Sequence, residues 1–327
     1  MEDKKKIRRE IVSLMRGYYF TNIFCSLIDA GVLTEKTKSI KINDIKKINK
    51  DRLFFALEYL KNLGILRKKR NEYFLTKNGR LLLLRSGAFQ IPFSYKNYLS
   101  NTQEFIFKGK NFKCERSMNV IGSGDTHSRK FFKPVIQKFN FNKYDQIIDL
   151  GCGDGTFLKH ILKNNKNIRV TASDVSKEAL KNTKSNLKDY KNVDYILSDA
   201  LNINKWAKKI KFGDKVLICF WFIIHEIFSN EKDLVNFFKK LNIKEFDILI
   251  CEINRVDSKI LQENLDYTLM PEYFYFHDIS NQKLFSEKNL NKMLIKSSYK
   301  RIENFKFDQY RSKNRNVPSI YTGIYSN

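Results

Sequence analysis

The stretch that decides the fold is IIDLGCGDGTF, which occupies residues 147–157. Its apolar start ends at Asp149, and three glycines follow at alternate positions, namely Gly151, Gly153 and Gly155. The residues after the last glycine have the apolar spacing of a helix, so the stretch predicts a strand, a tight turn and a helix. Because glycine lacks a Cβ atom and a helix N-terminus presents backbone N–H groups, such a turn lets a nucleotide-like ligand approach the backbone closely.

Two further predicted strands end in acids. An alternating apolar run ends at Asp174, with Val175 behind it, and the run over residues 193–197 is followed by Asp199 and Ala200. About one helix separates the first two strands, which predicts a βαβ unit with parallel strands. An acid at the end of the second strand can accept hydrogen bonds from both hydroxyls of a ribose. The third strand ends at the same edge of the sheet, where we expect an adenine ring to lie.

The three strand ends together resemble those of the class I S-adenosylmethionine (SAM) methyltransferases. The resemblance implies that SAM is the cofactor, that its amino-acid end passes the glycine loop and that Asp174 holds its ribose. It also implies that Asp199 lies beside the adenine ring. The implied cofactor-binding residues are Asp149, Gly151, Gly153, Gly155, Asp174, Val175, Asp199 and Ala200.

A dinucleotide-binding dehydrogenase is the main alternative. That class prefers the spacing GxGxxG and seats a diphosphate at the helix N-terminus, whereas this chain has GxGxG. Asp154 lies inside the loop, where its carboxylate would repel a diphosphate and would suit a ligand that carries an ammonium group. A turn of the same shape without any ligand is the remaining interpretation. The spacing and the loop acid favour the methyltransferase.

The composition describes a globular chain with a strong positive charge. Its 327 residues suggest two domains, and we expect neither a signal peptide nor a membrane span. The five cysteines form no CxxC pair, which argues for a reducing compartment and predicts a cytoplasmic location. The formal net charge of +26 would suit nucleic acid. Because lysines are spread along the whole chain, we favour a compositional bias and expect no nucleic-acid partner.

Residues 1–85 predict a winged helix. Apolar residues at helical spacing predict a first helix that ends at Gly31, a second over residues 40–48 and a third over residues 52–63. Two strands of a hairpin follow within residues 65–75. This order of elements fits a DNA-binding regulator as well as a dimerisation domain.

The phrase ALEYLKNLGIL at residues 56–66 resembles the N-terminal domain of small-molecule O-methyltransferases. The resemblance implies a homodimer in which this domain caps the neighbouring active site. We expect Phe54, Phe55 and Leu57 to be buried in the third helix. Burial of these side chains favours a dimerisation domain over a DNA-binding domain that would contact DNA through its basic wing, RKKR at residues 67–70.

Residues 86–140 predict a helical connector rich in aromatic side chains, part of which we expect to wall a substrate pocket. A glycine-containing loop over residues 122–127 is flanked by Arg116 and Arg129, and either arginine is a candidate partner for a substrate carboxylate. Residues 141–327 form the predicted SAM-binding catalytic domain. The expected fold class is α/β, a Rossmann-like class I methyltransferase domain preceded by an α-helical winged-helix dimerisation domain.

A fourth apolar strand over residues 214–221 leads to His225 and Glu226, and a fifth strand contains Glu252 near its end. Parallel sheets keep their chemistry at the carboxyl ends of the strands, so these side chains should face the methyl donor. The O-methyltransferase resemblance implies that His225 is the general base and that Glu252 orients it. A buried structural histidine is the plainer alternative.

His277 has aromatic residues before it and an acid after it. Two imidazoles and a carboxylate can form a facial triad on a metal. His225, Glu226 and His277 resemble the metal-binding positions of the α-keto acid C-methyltransferases of the phenylpyruvate or 2-ketoarginine type, although this chain has Glu226 where that group has aspartate. The resemblance implies a bound Fe or Zn ion.

The implied reaction is methylation of the β-carbon of an α-keto acid through a metal-bound enolate. It would serve the biosynthesis of a β-methyl amino acid or a related natural product. We expect this reaction ahead of the alternative, which is metal-free O-methylation of a small molecule with His225 as base. A winged-helix DNA-binding regulator is the third hypothesis.

Overall fold

The computed structural model of the chain describes residues 2–115, 131–242, 245–265, 270–306, 309–312 and 315–327. The strands in these ranges are β1 (Leu66–Lys69), β2 (Glu72–Leu75), β3 (Gln146–Leu150), β4 (Arg169–Asp174), β5 (Val193–Leu197), β6 (Val216–Trp221), β7 (Asp247–Ile253), β8 (Lys300–Lys306), β9 (Gln309–Ser312), β10 (Arg315–Pro318) and β11 (Ile320–Ser326).

The helices connect these strands and form the N-terminal part of the chain. They are α1 (Glu2–Asp29), α2 (Lys50–Asn62), α3 (Lys77–Leu83), α4 (Gly87–Ser94), α5 (Lys96–Ser100), α6 (Thr102–Lys108), α7 (Lys133–Lys138), α8 (Thr156–Asn164), α9 (Lys177–Asn186), α10 (Ile203–Ala207), α11 (Ile224–Ile227), α12 (Glu231–Leu241), α13 (Ser258–Gln262), α14 (Met270–Ile279) and α15 (Glu287–Lys296).

Within the described ranges, seven strands form one large sheet in the order β5-β4-β3-β6-β7-β11-β8. Neighbouring strands from β5 to β7 are parallel. At the other side of the sheet, β11 runs antiparallel to both β7 and β8. This arrangement confirms the predicted α/β class, and it brings the carboxyl ends of β3, β4, β6 and β7 to one edge.

Hydrophobic clusters cover both faces of the sheet. Along β3, Ile147 packs into one cluster and Ile148 into the other, and along β6 Leu217 and Ile218 alternate in the same way. Every residue of β3 and β6 is buried. Central parallel strands with helices on both sides show this uninterrupted burial, and it makes the sheet a rigid base for the loops at its edge.

The N-terminal part combines helices with the β1–β2 hairpin, as the winged-helix prediction expects. The second predicted helix, over residues 40–48, is wrong: the chain has only a three-residue 3-10 helix, Ile42–Asp44, and Ile40 forms a bridge with Tyr73 of the hairpin. β-branched residues favour extended backbone, and the pairing with β2 provides hydrogen bonds that a helix would otherwise supply. The apolar spacing of the isoleucines therefore reflects packing of an extended segment.

Helix α2 buries one face and exposes the other. Leu53, Leu57 and Leu60, at the spacing i, i+4, i+7, are buried. The expected burial of Phe54 and Phe55 is wrong, because their side chains are 37% and 66% exposed. Helical geometry turns these two rings away from the leucine face, so they form part of the accessible surface.

Helix α1 is the most exposed long element among the described helices. Residues 3–19 are all exposed, including a stripe of apolar side chains. The segment Asp3–Asp29 is long and apolar enough, by length and composition alone, to cross a membrane. The sequence prediction had found no such stretch, because the segment is interrupted by charged residues near its start.

Aromatic contacts join the connector helices to α14. The ring of Tyr95 stacks on Phe276, with ring centroids 4.8 Å apart and an interplanar angle of 6°. Tyr98 belongs to the same buried cluster. The connector therefore contacts the helix that carries His277, while the exact domain boundaries stay predictions.

Candidate active site

The glycine loop after β3 is shaped by its backbone. Gly151 has φ +80° and Gly155 has φ +77°, values that side-chain-bearing residues rarely adopt. A Cβ atom on Gly151 would lie 2.2 Å from Cδ1 of Ile223, and one on Gly155 would lie 2.6 Å from Cγ2 of Thr183. The hydroxyl of Thr183 donates to the carbonyl of Gly153 at 2.7 Å. The loop is thus held closely between α9 and the segment that leads to His225.

Three carboxylates surround this loop. Asp149 is buried, and its Oδ1 has no hydrogen-bond partner among the described residues. Burial, together with the nearby charges of Asp174 and Asp154, raises the pKa of Asp149 to about 8. Such a site disfavours an additional negative charge and favours a cation. The positively charged amino-acid end of SAM fits this chemistry, whereas a diphosphate does not.

Asp174, at the end of β4, is held by the backbone. Its Oδ2 accepts from the N–H of Gly153 at 3.0 Å, and its Oδ1 accepts from the N–H of Ser176 at 2.8 Å. A carboxylate oxygen can accept more than one hydrogen bond. The arrangement therefore fixes the carboxylate at the strand end that the sequence assigned to a ribose.

The other three cofactor-binding candidates, of which Asp199 was assigned to the adenine, differ in accessibility. Val175 is 69% exposed, and Asp199 is exposed with its Oδ1 accepting from the N–H of Leu201 at 2.8 Å. Ala200 is buried, and its carbonyl accepts from the indole N–H of Trp206 at 3.0 Å. Val175 and Asp199 are thus open to a ligand at the edge of the sheet, while Ala200 serves mainly the packing beneath it.

His225 and Glu252 form a buried dyad. Nδ1 of His225 lies 2.7 Å from Oε2 of Glu252, and both side chains are buried. The other oxygen of Glu252 accepts from the N–H of Ile224 at 3.1 Å. A carboxylate only accepts, so Nδ1 carries the proton and Nε2 is the basic nitrogen of the neutral ring. The structure therefore brings together the two residues that the sequence paired as base and orienting acid.

The backbone before His225 explains how the dyad is formed. β6 ends at Trp221, and Phe222 adopts φ +50°, which is uncommon for an aromatic residue. Its N–H donates to the carbonyl of Cys251 at 2.9 Å. The turn lets the short helix α11 begin at the strand end and aims His225 at Glu252 on the neighbouring strand. Sequence reasoning missed Phe222, since no residue type in the stretch signals a positive φ.

His277 lies in α14 beside the dyad. Its ring centroid is 4.6 Å from that of His225, with the rings at 74°, and its Nδ1 is hydrogen-bonded to the carbonyl oxygen of Tyr273. Burial and the neighbouring His225 and Arg255 together lower the pKa of His277 to about 3, against the opposing effect of the Tyr273 carbonyl. His277 is therefore a neutral imidazole that packs on the general-base candidate.

The structure does not support the predicted metal site formed by His225, Glu226 and His277. The residues that the structure describes contain no group of three or more His, Cys, Asp or Glu side chains that could hold a metal ion. His225 and His277 do lie together, but Glu226 follows His225 directly on a helical turn, where successive side chains diverge. The described residues therefore do not fit the three-ligand centre that the sequence suggested.

The two arginine candidates for a substrate carboxylate, Arg116 and Arg129, lie outside the described residues, as does the loop over residues 122–127. Their role stays a prediction. An arginine that sequence reasoning did not single out is Arg255, three residues after Glu252, which forms an ion pair with Asp278 next to His277. Its position just beyond the strand that carries Glu252 was the available signal.

Comparisons with known proteins agree with this geometry. A family model described as "Methyltransferase domain" matches residues 147–242, which include the glycine loop, both acids after it and His225. A curated protein of Dictyostelium discoideum, "Des-methyl DIF-1 methyltransferase A", is 25% identical over 186 residues. The match covers 48% of this chain and 51% of that protein, so the chain aligns with about half the length of this relative.

Solved structures match over nearly the whole chain. The mitomycin 7-O-methyltransferase MmcR superposes with a TM-score of 0.67 at 11% identity, covering 100% of this chain and 99% of its own. A structure described as "PigF with SAH" has a TM-score of 0.63 at 9% identity, covering 98% and 99% of the two chains. The chain thus has a fold like that of class I SAM-dependent O-methyltransferases, and its residues 147–242 are similar to a methyltransferase domain. This agrees with the predicted fold class.

Proposed function

We propose that this protein is a SAM-dependent methyltransferase that transfers a methyl group to an oxygen atom of a small molecule. The observation that carries the proposal is the buried dyad, with His225 Nδ1 2.7 Å from Glu252 at the edge of the sheet that holds the glycine loop. Such a pair is suited to general-base catalysis, because the acid fixes the ring and leaves Nε2 basic. The name of MmcR, an O-methyltransferase of the same fold, supports the choice of oxygen.

The methyl donor would be held by residues of β3, β4 and β5. The partnerless oxygen of buried Asp149 suits the ammonium group, and Asp174 suits the ribose hydroxyls. Asp199 suits the adenine, and both it and Val175 are exposed at the edge of the sheet. When bound, SAM supplies a methyl group activated by a positively charged sulfur. The three carboxylates around the loop favour binding of this cation.

His225 would act on the acceptor hydroxyl. Its Nε2 takes the hydroxyl proton as the oxygen attacks the methyl carbon, and Glu252 stabilises the imidazolium that results. His277 packs against the His225 ring, and its burial helps to exclude water from the pair. Correct placement of the acceptor oxygen contributes the remaining rate enhancement.

The proposal is tested with purified protein, SAM and a panel of hydroxylated small molecules, by following methylated product with mass spectrometry. His225→Gln is expected to reduce kcat by about 10²- to 10⁴-fold, the usual contribution of a general base. Its affinity for SAM, measured by calorimetry, should stay within about twofold because His225 lies outside the glycine loop. Undiminished turnover of the variant would contradict the assignment of the base.

C-methylation of an α-keto acid is the second candidate, and the closeness of His225 and His277 favours it. Both rings have Nδ1 bonded to an oxygen acceptor, as histidines on a metal commonly do. The test is elemental analysis of wild type and His277→Ala, together with a keto-acid panel. About one metal per chain that is lost in the variant, with a carbon-methylated product, would replace the O-methylation proposal.

We further propose that the chain forms a homodimer through its N-terminal part. The support is the exposed apolar stripe on α1, where Ile7, Ile11, Leu14 and Tyr18 lie at helical spacing and are all more than half exposed. Phe55 of α2 adds a second exposed ring. In the basic wing, Lys68 lies 3.5 Å from Glu58, so part of the charge available to DNA is already balanced.

A further inference from the structure

Backbone hydrogen bonds fasten the chain after α14 to both histidines. The N–H of Gln282 donates to the carbonyl of His277 at 2.9 Å, and the N–H of Lys283 donates to the carbonyl of His225 at 3.1 Å. The segment that follows α14 is therefore bound to α11. A side-chain contact adds to these bonds at the C-terminal end of α14.

That contact is a two-pronged ion pair between β7 and α14. Nη1 of Arg255 lies 2.9 Å from Oδ1 of Asp278, and Nη2 lies 3.0 Å from Oδ2. Arg255 follows Glu252 by three residues, and Asp278 directly follows His277. The pair thus connects the strand that orients the base to the helix that packs on it.

Arg255 also contacts α14 through an aromatic ring. Its Cζ atom lies 4.6 Å from the ring centroid of Phe274, a buried residue of the same helix. A planar guanidinium can stack on a ring and bond both carboxylate oxygens at once, which a lysine ammonium cannot do. The side chain therefore fixes both the distance of α14 from β7 and its rotation about the helix axis.

We propose that Arg255 is a positioning residue whose pairing with Asp278 forms a latch that holds α14, and with it the ring of His277, against His225. The two side chains are 38% and 54% exposed, so the latch contributes little to global stability. Its effect is local: without it, α14 opens more often and the ring of His277 leaves its contact with His225 more often. Only the kinetic consequence of the latch rests on the proposed methyl transfer.

The latch is tested by the rate at which diethyl pyrocarbonate modifies His277, followed by mass spectrometry of the purified full chain. Arg255→Ala is expected to raise this rate by about two- to fivefold, the upper part of the range that loss of one exposed ion pair produces in a local opening equilibrium. Half-buried His160, which lies on α8 after the glycine loop, serves as internal reference and should react at an unchanged rate.

A matched control removes an ion pair away from α14. Lys143 and Glu303 lie 2.9 Å apart, and their side chains are 33% and 34% exposed. Glu303→Gln breaks this pair and should leave the modification rate of His277 unchanged. The charge-swapped double variant, Arg255→Asp with Asp278→Arg, should recover part of the protection that either single change loses.

The kinetic consequence is a fall in kcat/KM for the acceptor of at most about fivefold in Arg255→Ala, with SAM affinity within about twofold of wild type. Unchanged modification of His277 in this variant overturns the latch, whatever the activity. Increased modification of every histidine with a lower melting temperature shows a merely structural role and overturns it too. A loosened His277 in a protein whose wild type transfers no methyl group supports the latch and refutes the proposed function.

Discussion

Glu252 uses both of its carboxylate oxygens on the segment that carries the base, one on Nδ1 of His225 and one on the N–H of Ile224. Replacing it by glutamine keeps the size of the side chain but places an N–H₂ donor where His225 now donates. The ring must then carry its proton on Nε2, which removes the base.

Glu252→Gln is therefore expected to lower kcat by about 10²- to 10⁴-fold with little change in the KM for the acceptor. Steady-state kinetics on the best acceptor of the panel measure this. A variant that raises KM and keeps kcat would show that Glu252 acts in acceptor binding instead of in orienting the base.

Asp149 makes a pH dependence measurable. Its pKa is about 8 in the folded chain, against about 4 for an ordinary aspartate. Between these values the folded chain keeps a proton that the unfolded chain releases, so the contribution to stability is full below pH ~4 and falls as pH rises towards ~8.

Between about pH 5 and about pH 8, the thermal stability of the ligand-free wild type should thus fall more steeply than that of Asp149→Asn. SAM is a cation, so its affinity for the wild type should increase as the pH rises, by at most about tenfold per pH unit. Differential scanning calorimetry and titration calorimetry measure both. Parallel profiles for wild type and variant would show that Asp149 does not titrate in this range.

At this scale the sequence predicted the chemistry better than the geometry. His225 and Glu252 were placed at one edge of the sheet by the ends of two strands and paired through the resemblance to O-methyltransferases, and the structure brings them together. Phe222 was missed because a positive φ on an aromatic residue depends on the tertiary contacts of the turn. The predicted three-ligand metal site is not found among the described residues. Sequence spacing does not report the direction of a side chain such as that of Glu226.

Among the elements, the glycine loop is sensitive to a single added atom. Gly151→Ala places a Cβ atom 2.2 Å from Ile223 Cδ1 at a φ of +80°. It should destabilise the protein by about 1–3 kcal/mol and weaken SAM binding, because the strained loop must shift. Thermal melting and calorimetry measure both effects.

The matched control is Gly17→Ala in α1, where a new Cβ atom meets no atom within 4 Å. Alanine favours helix over glycine by up to about 1 kcal/mol, so this change should leave stability unchanged or raise it and should not affect SAM binding. If both variants bound SAM like wild type, the glycine loop would not be the cofactor site.

The strands were predicted well because their signal is local. The bounds expected for the third and fifth strands of the catalytic part are those of β5 and β7. Residues 40–48 were predicted as a helix, and Phe54 and Phe55 as buried, because apolar spacing alone does not reveal which partner a segment packs against. Residue 40 is extended because Ile40 pairs with Tyr73. Phe54 and Phe55 are exposed because α2 packs through its leucine face.

For the whole molecule, the exposed apolar stripe on α1 and the exposed rings of α2 predict self-association. Leu14→Asp combined with Phe55→Asp should convert the proposed dimer to a monomer, because a charge at the centre of an apolar interface costs several kcal/mol. Sedimentation velocity measures the change, and SAM binding should persist in the variant. A wild-type chain that sediments as a monomer at micromolar concentration would refute the dimer.

The proposed function depends on which atom receives the methyl group. The most direct measurement is turnover with SAM that carries a ¹³C-labelled methyl group, followed by NMR of the isolated product. We predict that the labelled carbon is bonded to oxygen, and that the product fails to form with His225→Gln although this variant binds SAM. A label bonded to carbon, or product formed equally well by the variant, would contradict general-base O-methylation by the His225–Glu252 dyad.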